Sequence, residues 1–419
     1  MKKIILIFLI IIISAPSYSQ QSLFSKTGPN AKDFGEDNSF RVCKNYSDHW
    51  KNPECRIGTF SQVLLVHPHT RPIIPSNDPL NFKFIQNPPI ELIKKVDDYI
   101  SKYPAMGLLI IKDGKIVVER YQYDRKMDMI FRGFSMSKTV IAMLVGIAHQ
   151  KGFIKSLDDK VSNYWSEIKD SPVGETTIKE FLRMESGIDW GSTQTPDMYQ
   201  IWSVLHKAEN YSKPDELNKY LNSVRSNGTK GKLNYGTVDT EILSRVLVKA
   251  TNKNITTLTS EWLWQPMGGR GIGRWLYATT DGVEQGAGGL HASLNDYGRF
   301  GVLLANDGKY KNTQVIPINF ILDATDLSKT PKSHIGYSSN PFQYAYGYQT
   351  WIQPNKERTF CALGHYGQAI CVQPSSKIVM VHIAVANDHN VWGGSYGSMG
   401  TALNSLWENI LKDLGGSTN

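Results

Sequence analysis

The stretch that decides the fold is residues 131–149, which read FRGFSMSKTVIAMLVGIAH. Lys138 stands three residues after Ser135, and an apolar run from Thr139 to His149 without proline follows the pair. A run of this kind is typical of a buried helix. Residues three apart in a helix share one face, so we predict that the hydroxyl and the amine are neighbours at the start of this helix.

The pair has a chemical meaning, because a serine hydroxyl is a weak nucleophile that needs a base within reach. Burial lowers the pKa of a lysine, and a neutral lysine can accept the serine proton. The same spacing occurs at Ser166 and Lys169, but residues 170–172 (Asp-Ser-Pro) follow at once and end the helix. We therefore favour Ser135 as the nucleophile and Lys138 as the group beside it.

Strand patterns occur early and late in the chain, with helical patterns between them. We predict a helix over Ile90–Tyr103, a hairpin of Met106–Lys112 and Lys115–Gln122 around Asp113-Gly114, strands at Tyr344–Trp351, Thr359–Gln373 and Ile378–Val385, and a last helix over Thr401–Leu414. The early and late strands can pair into one antiparallel sheet flanked by the terminal helices. The expected class is α+β, with an inserted, mainly helical lobe over about residues 155–290.

The N-terminal region divides into a leader and an extension. Lys2 and Lys3, the apolar Ile4–Ile13 and the small residues of Ser14–Ser19 predict a signal peptide over residues 1–19. The apolar run is short for a membrane span, although an uncleaved anchor stays an alternative. We expect a periplasmic or secreted protein without a stable membrane anchor. Residues 20–85, rich in Pro, Asn, Asp and Ser, are predicted to be an N-terminal extension of a main domain over residues 86–419.

Four cysteines, Cys43, Cys55, Cys361 and Cys371, are disulfide candidates in an exported protein. Three pairings are possible, and we favour the local pairs Cys43–Cys55 and Cys361–Cys371 over free buried thiols. No histidine cluster lies at ligand spacing with them, so neither a metal nor another cofactor is expected.

Composition and charge argue against nucleic acid as a partner. The formal net charge is +8, and 20% of the residues are charged, as in ordinary globular proteins. No basic run is interleaved with aromatic residues, so nucleic acid is not an expected partner. The sequence leaves the oligomeric state open.

Segments around the first motif resemble the penicillin-recognising serine hydrolases, which include class C β-lactamases, D,D-peptidases and related esterases. Besides Ser135–Lys138 and its apolar helix, the resemblance is carried by Gly152–Val161, Phe181–Gly187 and Gly289–Ser293. It runs from about residue 90 to residue 415. It implies a β-lactamase/transpeptidase-like fold and hydrolysis through an acyl-serine.

The second motif of this family is a tyrosine followed two residues later by asparagine. Tyr235 takes this position here, with Thr237 in place of the asparagine. The stretch Tyr235–Thr240 is similar to the branch that contains 6-aminohexanoate-dimer hydrolases. The resemblance gives Tyr235 the role of general base or proton shuttle. A phenolate needs nearby positive charge, which Lys138 could supply.

The third motif, Lys-Thr-Gly in β-lactamases, is replaced by His365-Tyr366-Gly367-Gln368. We expect Gly367 to let substrate approach the strand closely, and the backbone N–H groups of Gln368 and Ser135 to form an oxyanion hole. His365 is a candidate for substrate contact. Histidine is at most partly charged near pH 7, so it is a poor substitute for a lysine that holds a carboxylate. Efficient β-lactamase activity is therefore not expected.

These observations predict an exported serine hydrolase that cleaves small amide or ester substrates through an acyl-Ser135 intermediate. A D,D-peptidase or esterase of the same fold is one alternative, and a non-catalytic penicillin-binding-type sensor is another. Gly393–Gly397 fits the nucleophile motif of α/β-hydrolases, but that fold needs a later histidine, and no histidine follows Ser395.

Overall fold

The computed structural model describes residues 22–190, 214–278, 281–388, 391–393 and 398–418. The predicted signal peptide lies outside these residues, as does most of Gly393–Gly397. Within the described ranges, no helix is both long and apolar enough to cross a membrane.

An eight-stranded sheet forms the centre of the molecule and joins the two ends of the chain. In order across the sheet, its strands are β1 (Leu23–Phe24), β4 (Lys115–Tyr121), β3 (Ala105–Lys112), β14 (Ile378–Ala384), β13 (Gln368–Gln373), β12 (Phe360–Gly364), β11 (Trp351–Ile352) and β10 (Ala345–Tyr346). β1 pairs parallel with β4, and the other pairs are antiparallel. The predicted pairing of early with late strands is confirmed at the β3–β14 junction.

Helices cover both faces of this sheet, which explains why β3 is apolar from Ala105 to Ile111 rather than alternating. Successive side chains of a strand point to opposite faces. Leu108 and Ile110 belong to the core formed with α2 (Ile90–Lys102) and α11 (Met399–Asp413). Leu109 and Ile111 belong to the core on the other side. The α+β class is thus built as helices packed on both faces of an antiparallel sheet.

The second core is formed by the remaining helices and a smaller sheet. The helices are α1 (Arg56–Ser61), α3 (Met136–Gln150), α4 (Pro172–Glu175), α5 (Ile178–Leu182), α6 (Pro214–Ser223), α7 (Thr237–Thr251), α8 (Ile255–Leu258), which a π-helical turn (Thr259–Trp264) continues, α9 (Leu294–Ala305) and α10 (Ile318–Thr325). The smaller sheet has the order β2 (Thr70–Pro72), β6 (Arg274–Leu276), β7 (Leu290–Ala292) and β5 (Phe131–Arg132). A separate hairpin joins β8 (Lys309–Tyr310) and β9 (Thr313–Gln314). α7 packs against α3 and α5, which brings the middle of the chain to the helix that follows Ser135.

The N-terminal extension is integrated into this body, since β1 lies at the edge of the large sheet and β2 at the edge of the small one. Cys43 and Cys55 form a disulfide, and so do Cys361 and Cys371. The second bond links directly opposed residues of β12 and β13.

Three element predictions are wrong. Tyr344–Trp351 and Thr359–Gln373 are not single strands, because each contains a turn with positive φ that folds it into a hairpin. The turning residues are Gln349 (φ 50°) in the first, and Tyr366 (φ 61°) and Gly367 (φ 92°) in the second. The mainly helical pattern predicted to residue 290 ends at Trp264, after which the chain forms β6.

Candidate active site

Ser135 stands immediately before α3, as its N-cap residue. The preceding Phe134 has φ of 47°, a backbone conformation that residues other than glycine adopt rarely. The segment is fixed on both sides, because the Gly133 N–H donates to the Leu290 carbonyl at 2.9 Å and the Ser137 hydroxyl donates to the Phe134 carbonyl at 2.7 Å. Ser135 is thus held at the positive end of a helix dipole, where negative charge on a substrate oxygen is stabilised.

Lys138 reaches back one turn, and its Nζ lies 2.8 Å from Ser135 Oγ. The side chain is 1% exposed, and Nζ also donates to the Ala287 carbonyl at 3.1 Å. Burial lowers the pKa of Lys138 to about 7, partly opposed by the charge of Glu241. A large fraction of this amine is therefore neutral near pH 7 and able to accept the serine proton.

Glu241 lies behind the lysine on α7, buried and paired. Its carboxylate accepts from the Ala287 N–H at 3.0 Å and from Arg245 at 3.2 Å. Arg245 also binds Asp281, with Nε 2.8 Å from a carboxylate oxygen. Ala287 therefore accepts from Lys138 through its carbonyl and donates to Glu241 through its N–H, so the acid holds in place the residue whose carbonyl orients the amine.

Tyr235 completes the cluster from the turn before α7. Ser135 lies close enough to its hydroxyl to oppose the effect of burial on the pKa of Tyr235, and Lys138 Nζ lies 5.3 Å from the centre of its ring. Burial raises the pKa of Tyr235 to about 12. The phenol is therefore the form present at neutral pH, contrary to the expectation that Lys138 stabilises a phenolate. Of the two groups, Lys138 is the better proton acceptor, and Tyr235 is suited to donate and relay a proton.

Gln349 ties together the two helices that carry these residues. Its side chain accepts from the Thr240 hydroxyl of α7 at 2.6 Å, and its backbone carbonyl accepts from the Thr139 hydroxyl of α3 at 2.7 Å. The side-chain nitrogen Nε2 of Gln349 donates to the Phe181 carbonyl at 2.8 Å. One buried residue at a hairpin turn thus fixes Tyr235 relative to Ser135 and Lys138 through their helices.

The β12–β13 hairpin brings the predicted third motif against the serine segment. Gly364 ends β12, and a Cβ there would lie 2.5 Å from the Gly133 carbonyl oxygen and 3.1 Å from the Phe134 Cβ. Gly364 and Gln368 are register partners at the mouth of the hairpin. Only a glycine allows this approach, and it places the backbone of Gln368 beside the segment that leads into Ser135.

Within the hairpin, the structure places His365 differently from the expectation and shows what Gly367 and Gln368 contribute to the turn. His365 lies in the turn rather than on a strand, is half-buried, and has its ring 6.1 Å from that of Phe134. Gly367 has φ of 92°, a backbone conformation that favours glycine. The Gln368 side chain stabilises the turn, donating to the His365 and Ala384 carbonyls at 3.0 and 2.7 Å. Only its backbone N–H is therefore a candidate for the oxyanion hole.

Sequence reasoning missed Glu241, Ala287 and Gln349. For Glu241 a signal exists, because an acid in the apolar stretch VDTEILSRVLV is unusual unless it is buried and paired. Ala287 acts through its backbone, and the role of Gln349 depends on a hairpin that the sequence pattern did not reveal. In the described ranges, no group of three or more His, Cys, Asp or Glu side chains is placed to hold a metal ion.

The fold and the buried serine–lysine pair define a serine hydrolase. A family model described as Beta-lactamase matches residues 92–390, well over half of the chain. The chain belongs to the beta-lactamase family.

Individual relatives agree with this assignment. Over 317 residues the chain is 20% identical to the 6-aminohexanoate-dimer hydrolase of Paenarthrobacter ureafaciens, covering 71% of this chain and 79% of that protein. A Bacillus anthracis protein assigned as a 6-aminohexanoate-dimer hydrolase has a TM-score of 0.66 at 21% identity, over 86% of this chain and 92% of that one. A family VIII carboxylesterase has a TM-score of 0.57 at 16% identity, over 78% of this chain and 99% of that one. At these identities the two structures show a shared fold.

Proposed function

We propose that the protein is an exported hydrolase that cleaves amide or ester bonds of small substrates through an acyl-Ser135 intermediate. The observation that carries this proposal is the 2.8 Å contact between Ser135 Oγ and the Nζ of a buried lysine whose pKa is about 7. A nucleophile within hydrogen-bond reach of a base that is partly neutral at physiological pH is what acyl transfer requires.

In the acylation step, Ser135 Oγ attacks the carbonyl carbon of the substrate, and its proton passes to Lys138 Nζ. The negative charge on the carbonyl oxygen is stabilised by the backbone N–H groups of Ser135 and Gln368. The carbon–nitrogen or carbon–oxygen bond then breaks, and the departing amine or alcohol takes a proton from the Tyr235 phenol. Lys138 returns its proton to Tyr235, so both groups recover their starting states.

In the deacylation step, water attacks the carbonyl carbon of the ester formed on Ser135. Its proton moves to Lys138, and the serine leaves as the oxyanion collapses. The proton returns to Ser135 Oγ, and the free acid departs. Because Lys138 accepts a proton in both half-reactions, the scheme needs no carboxylate as a base for deacylation.

Export is supported by the two disulfides, since such bonds persist in oxidising compartments and are rare in the cytosol. The charged start and apolar run of residues 1–13 support the same conclusion. Mass spectrometry of the protein recovered from a periplasmic extract or culture medium tests this point. The expected N-terminus is Gln20, and recovery of full-length protein with the cells would contradict it.

For the substrate, we favour small amides and esters over β-lactams, because His365 replaces the lysine that would hold a carboxylate. The named relative from Paenarthrobacter ureafaciens makes the linear 6-aminohexanoate dimer a rational member of a test panel. The panel also contains a p-nitrophenyl ester, nitrocefin and a D-alanyl peptide, so D,D-peptidase activity appears as a separate outcome.

The mechanism is tested by labelling the mature protein and its Ser135→Ala variant with a fluorophosphonate probe. Native protein is expected to react at Ser135 and to hydrolyse the ester, whereas the variant does neither. Ser166→Ala is the matched control, because it removes the exposed serine hydroxyl of the other Ser-x-x-Lys sequence, which donates to the neighbouring Glu167 carboxylate. Equal labelling of the native protein and Ser135→Ala would overturn the proposal.

A further inference from the structure

A loop of the N-terminal extension lies against the active site. Cys43 and Cys55 close this loop with a disulfide, and we call residues 43–55 the clipped loop. It lies outside residues 92–390, which carry the family match. The loop contains Trp50, whose side chain is 43% exposed although tryptophan is among the most costly side chains to leave in water.

The clipped loop is fixed to both segments that form the site. The His49 ring packs edge-on against Phe134, which precedes Ser135, and against Tyr366, which precedes Gly367 in the hairpin turn. Arg56 donates to the His49 carbonyl at 2.8 Å, and its guanidinium lies 4.9 Å from the centre of the Tyr366 ring. The loop therefore packs against both the segment that leads into Ser135 and the β12–β13 turn.

These contacts place Trp50 directly on the hairpin turn. Its ring lies edge-on to His365 at 5.6 Å between centroids, and at the same distance from Tyr366. His365 in turn lies 6.1 Å from Phe134. The exposed part of the indole therefore borders the half-buried His365. The His365 ring lies between Trp50 and Phe134, the residue before Ser135.

A second aromatic group borders the site from Tyr235. The Tyr235 ring stacks on Trp351 at 5.2 Å, and Trp351 packs against Tyr337, which is 48% exposed. The surroundings of Ser135 thus include partly exposed aromatic rings at Trp50 and Tyr337. Such rings bind neutral apolar chains by burying area and by dispersion contacts.

From these contacts, we propose that Trp50 is a specificity-determining residue that binds the apolar chain of the substrate's acyl group. The inference rests on the proposed function, because it takes Gln368 as a donor to the acyl carbonyl oxygen. His365 lies in the same turn as Gln368, so a chain that extends from that carbonyl along the turn meets His365 and then Trp50. The clipped loop is then part of the substrate site and not only a structural lead-in.

The test compares p-nitrophenyl acetate with p-nitrophenyl hexanoate, which share a leaving group and differ in four methylenes of the acyl chain. We expect the ratio of kcat/KM for hexanoate to that for acetate to fall about tenfold in Trp50→Ala. Trp50→Phe keeps a ring and is expected to retain most of the ratio. Labelling by a small fluorophosphonate should proceed at the native rate in both variants, because Ser135 is unchanged.

Phe153→Ala is the matched control. Phe153 is 39% exposed and stacks on Trp262, as Trp50 packs on His365, but it follows the far end of α3. A helix of 15 residues spans about 22 Å, so this ring lies far from Ser135. Its removal should leave the hexanoate-to-acetate ratio unchanged.

The outcomes separate the two proposals. If native protein neither reacts with the fluorophosphonate nor hydrolyses either ester, the proposed function fails. If native protein is active and Trp50→Ala keeps the native ratio, the role of Trp50 is refuted. Equal loss on both esters with slower labelling also refutes it, because the indole would then only support Ser135. Should Trp50→Ala not fold, a native ratio in Trp50→Leu, which lacks the ring but fills space, gives the same refutation.

Discussion

Residues 135–138 and residues 166–169 both follow the pattern Ser-x-x-Lys, yet the fold treats them differently. Ser135 begins a helix of 15 residues, and Lys138 is buried with its amine on the serine. Ser166 lies in a 3₁₀ turn of three residues, where its hydroxyl donates to the neighbouring Glu167 carboxylate at 3.0 Å. Ser166 and Lys169 are both exposed.

The difference shows that the Ser-x-x-Lys spacing is not sufficient for a reactive pair. Burial of the lysine is also needed, because it makes the amine a base at neutral pH. Desolvation lowers the pKa of Lys138 because no water remains to solvate its charge. An exposed amine keeps its hydration and stays charged at neutral pH, and a charged amine cannot accept a proton. The apolar stretch after Lys138 is therefore as much a part of the catalytic motif as the serine itself.

Removal of the amine at the buried segment gives the largest expected effect. In Lys138→Ala, Ser135 loses its base, and kcat for a p-nitrophenyl ester should fall about 10³–10⁴-fold. Steady-state kinetics measures the fall, and circular dichroism checks that α3 persists. A variant that keeps kcat within about tenfold of the native value would show that another group activates Ser135.

The next effect concerns the group that relays the proton. Tyr235→Phe keeps the ring that stacks on Trp351 and removes only the hydroxyl close to Ser135. We expect kcat to fall about 10²–10³-fold with little change in KM, because the loss is confined to the transition state. Native kcat in this variant would leave Lys138 as the sole proton carrier and remove Tyr235 from the mechanism.

The pH profile tests the pKa that burial gives Lys138. Below about 7 the amine is protonated and inactive as a base, so kcat/KM should rise with pH through about 7. The phenol of Tyr235 keeps its proton until near pH 12, so it imposes no fall in rate in the neutral range. A value of kcat/KM that stays constant between about pH 5 and pH 9 would contradict the assignment of Lys138 as the base.

Glu241→Gln is expected to have a smaller effect, which the same pH profile measures. The negative charge of Glu241 raises the pKa of Lys138, so its removal should move the acid limb of kcat/KM to lower pH, by on the order of one unit. Asp296→Asn is the matched control, since Asp296 is also buried, paired with an arginine (Arg299) and bonded to a backbone N–H (Gly271). Both variants should lose stability, but only Glu241→Gln should shift the limb. Equal shifts would assign the effect to general loosening of the fold.

How much of this site the sequence predicts depends on how local each contact is. The Ser135–Lys138 contact lies within one helical turn, so spacing and an apolar run were enough to predict it. The position of Gln368 depends on the positive φ of Tyr366, a bulky residue that carries no turn signal. Likewise, the carbonyl of Ala287 and the indole of Trp50 reach the site only through tertiary packing. Their sequence surroundings resemble those of ordinary loops, and no period or motif marks them.

The smallest expected effect comes from the exposed segment, and it is the control for the whole comparison. Ser166→Ala together with Lys169→Ala removes the second Ser-x-x-Lys pair, whose side chains are solvated in the folded and unfolded chain alike. Stability should change by less than about 0.5 kcal/mol, and kcat, KM and fluorophosphonate labelling should stay at native values. Since the buried neighbours Trp165 and Ile168 are untouched, the turn should persist. A loss of labelling in this double variant would mean that the reactive serine lies at Ser166, and that burial of the lysine is not the feature that distinguishes the two segments.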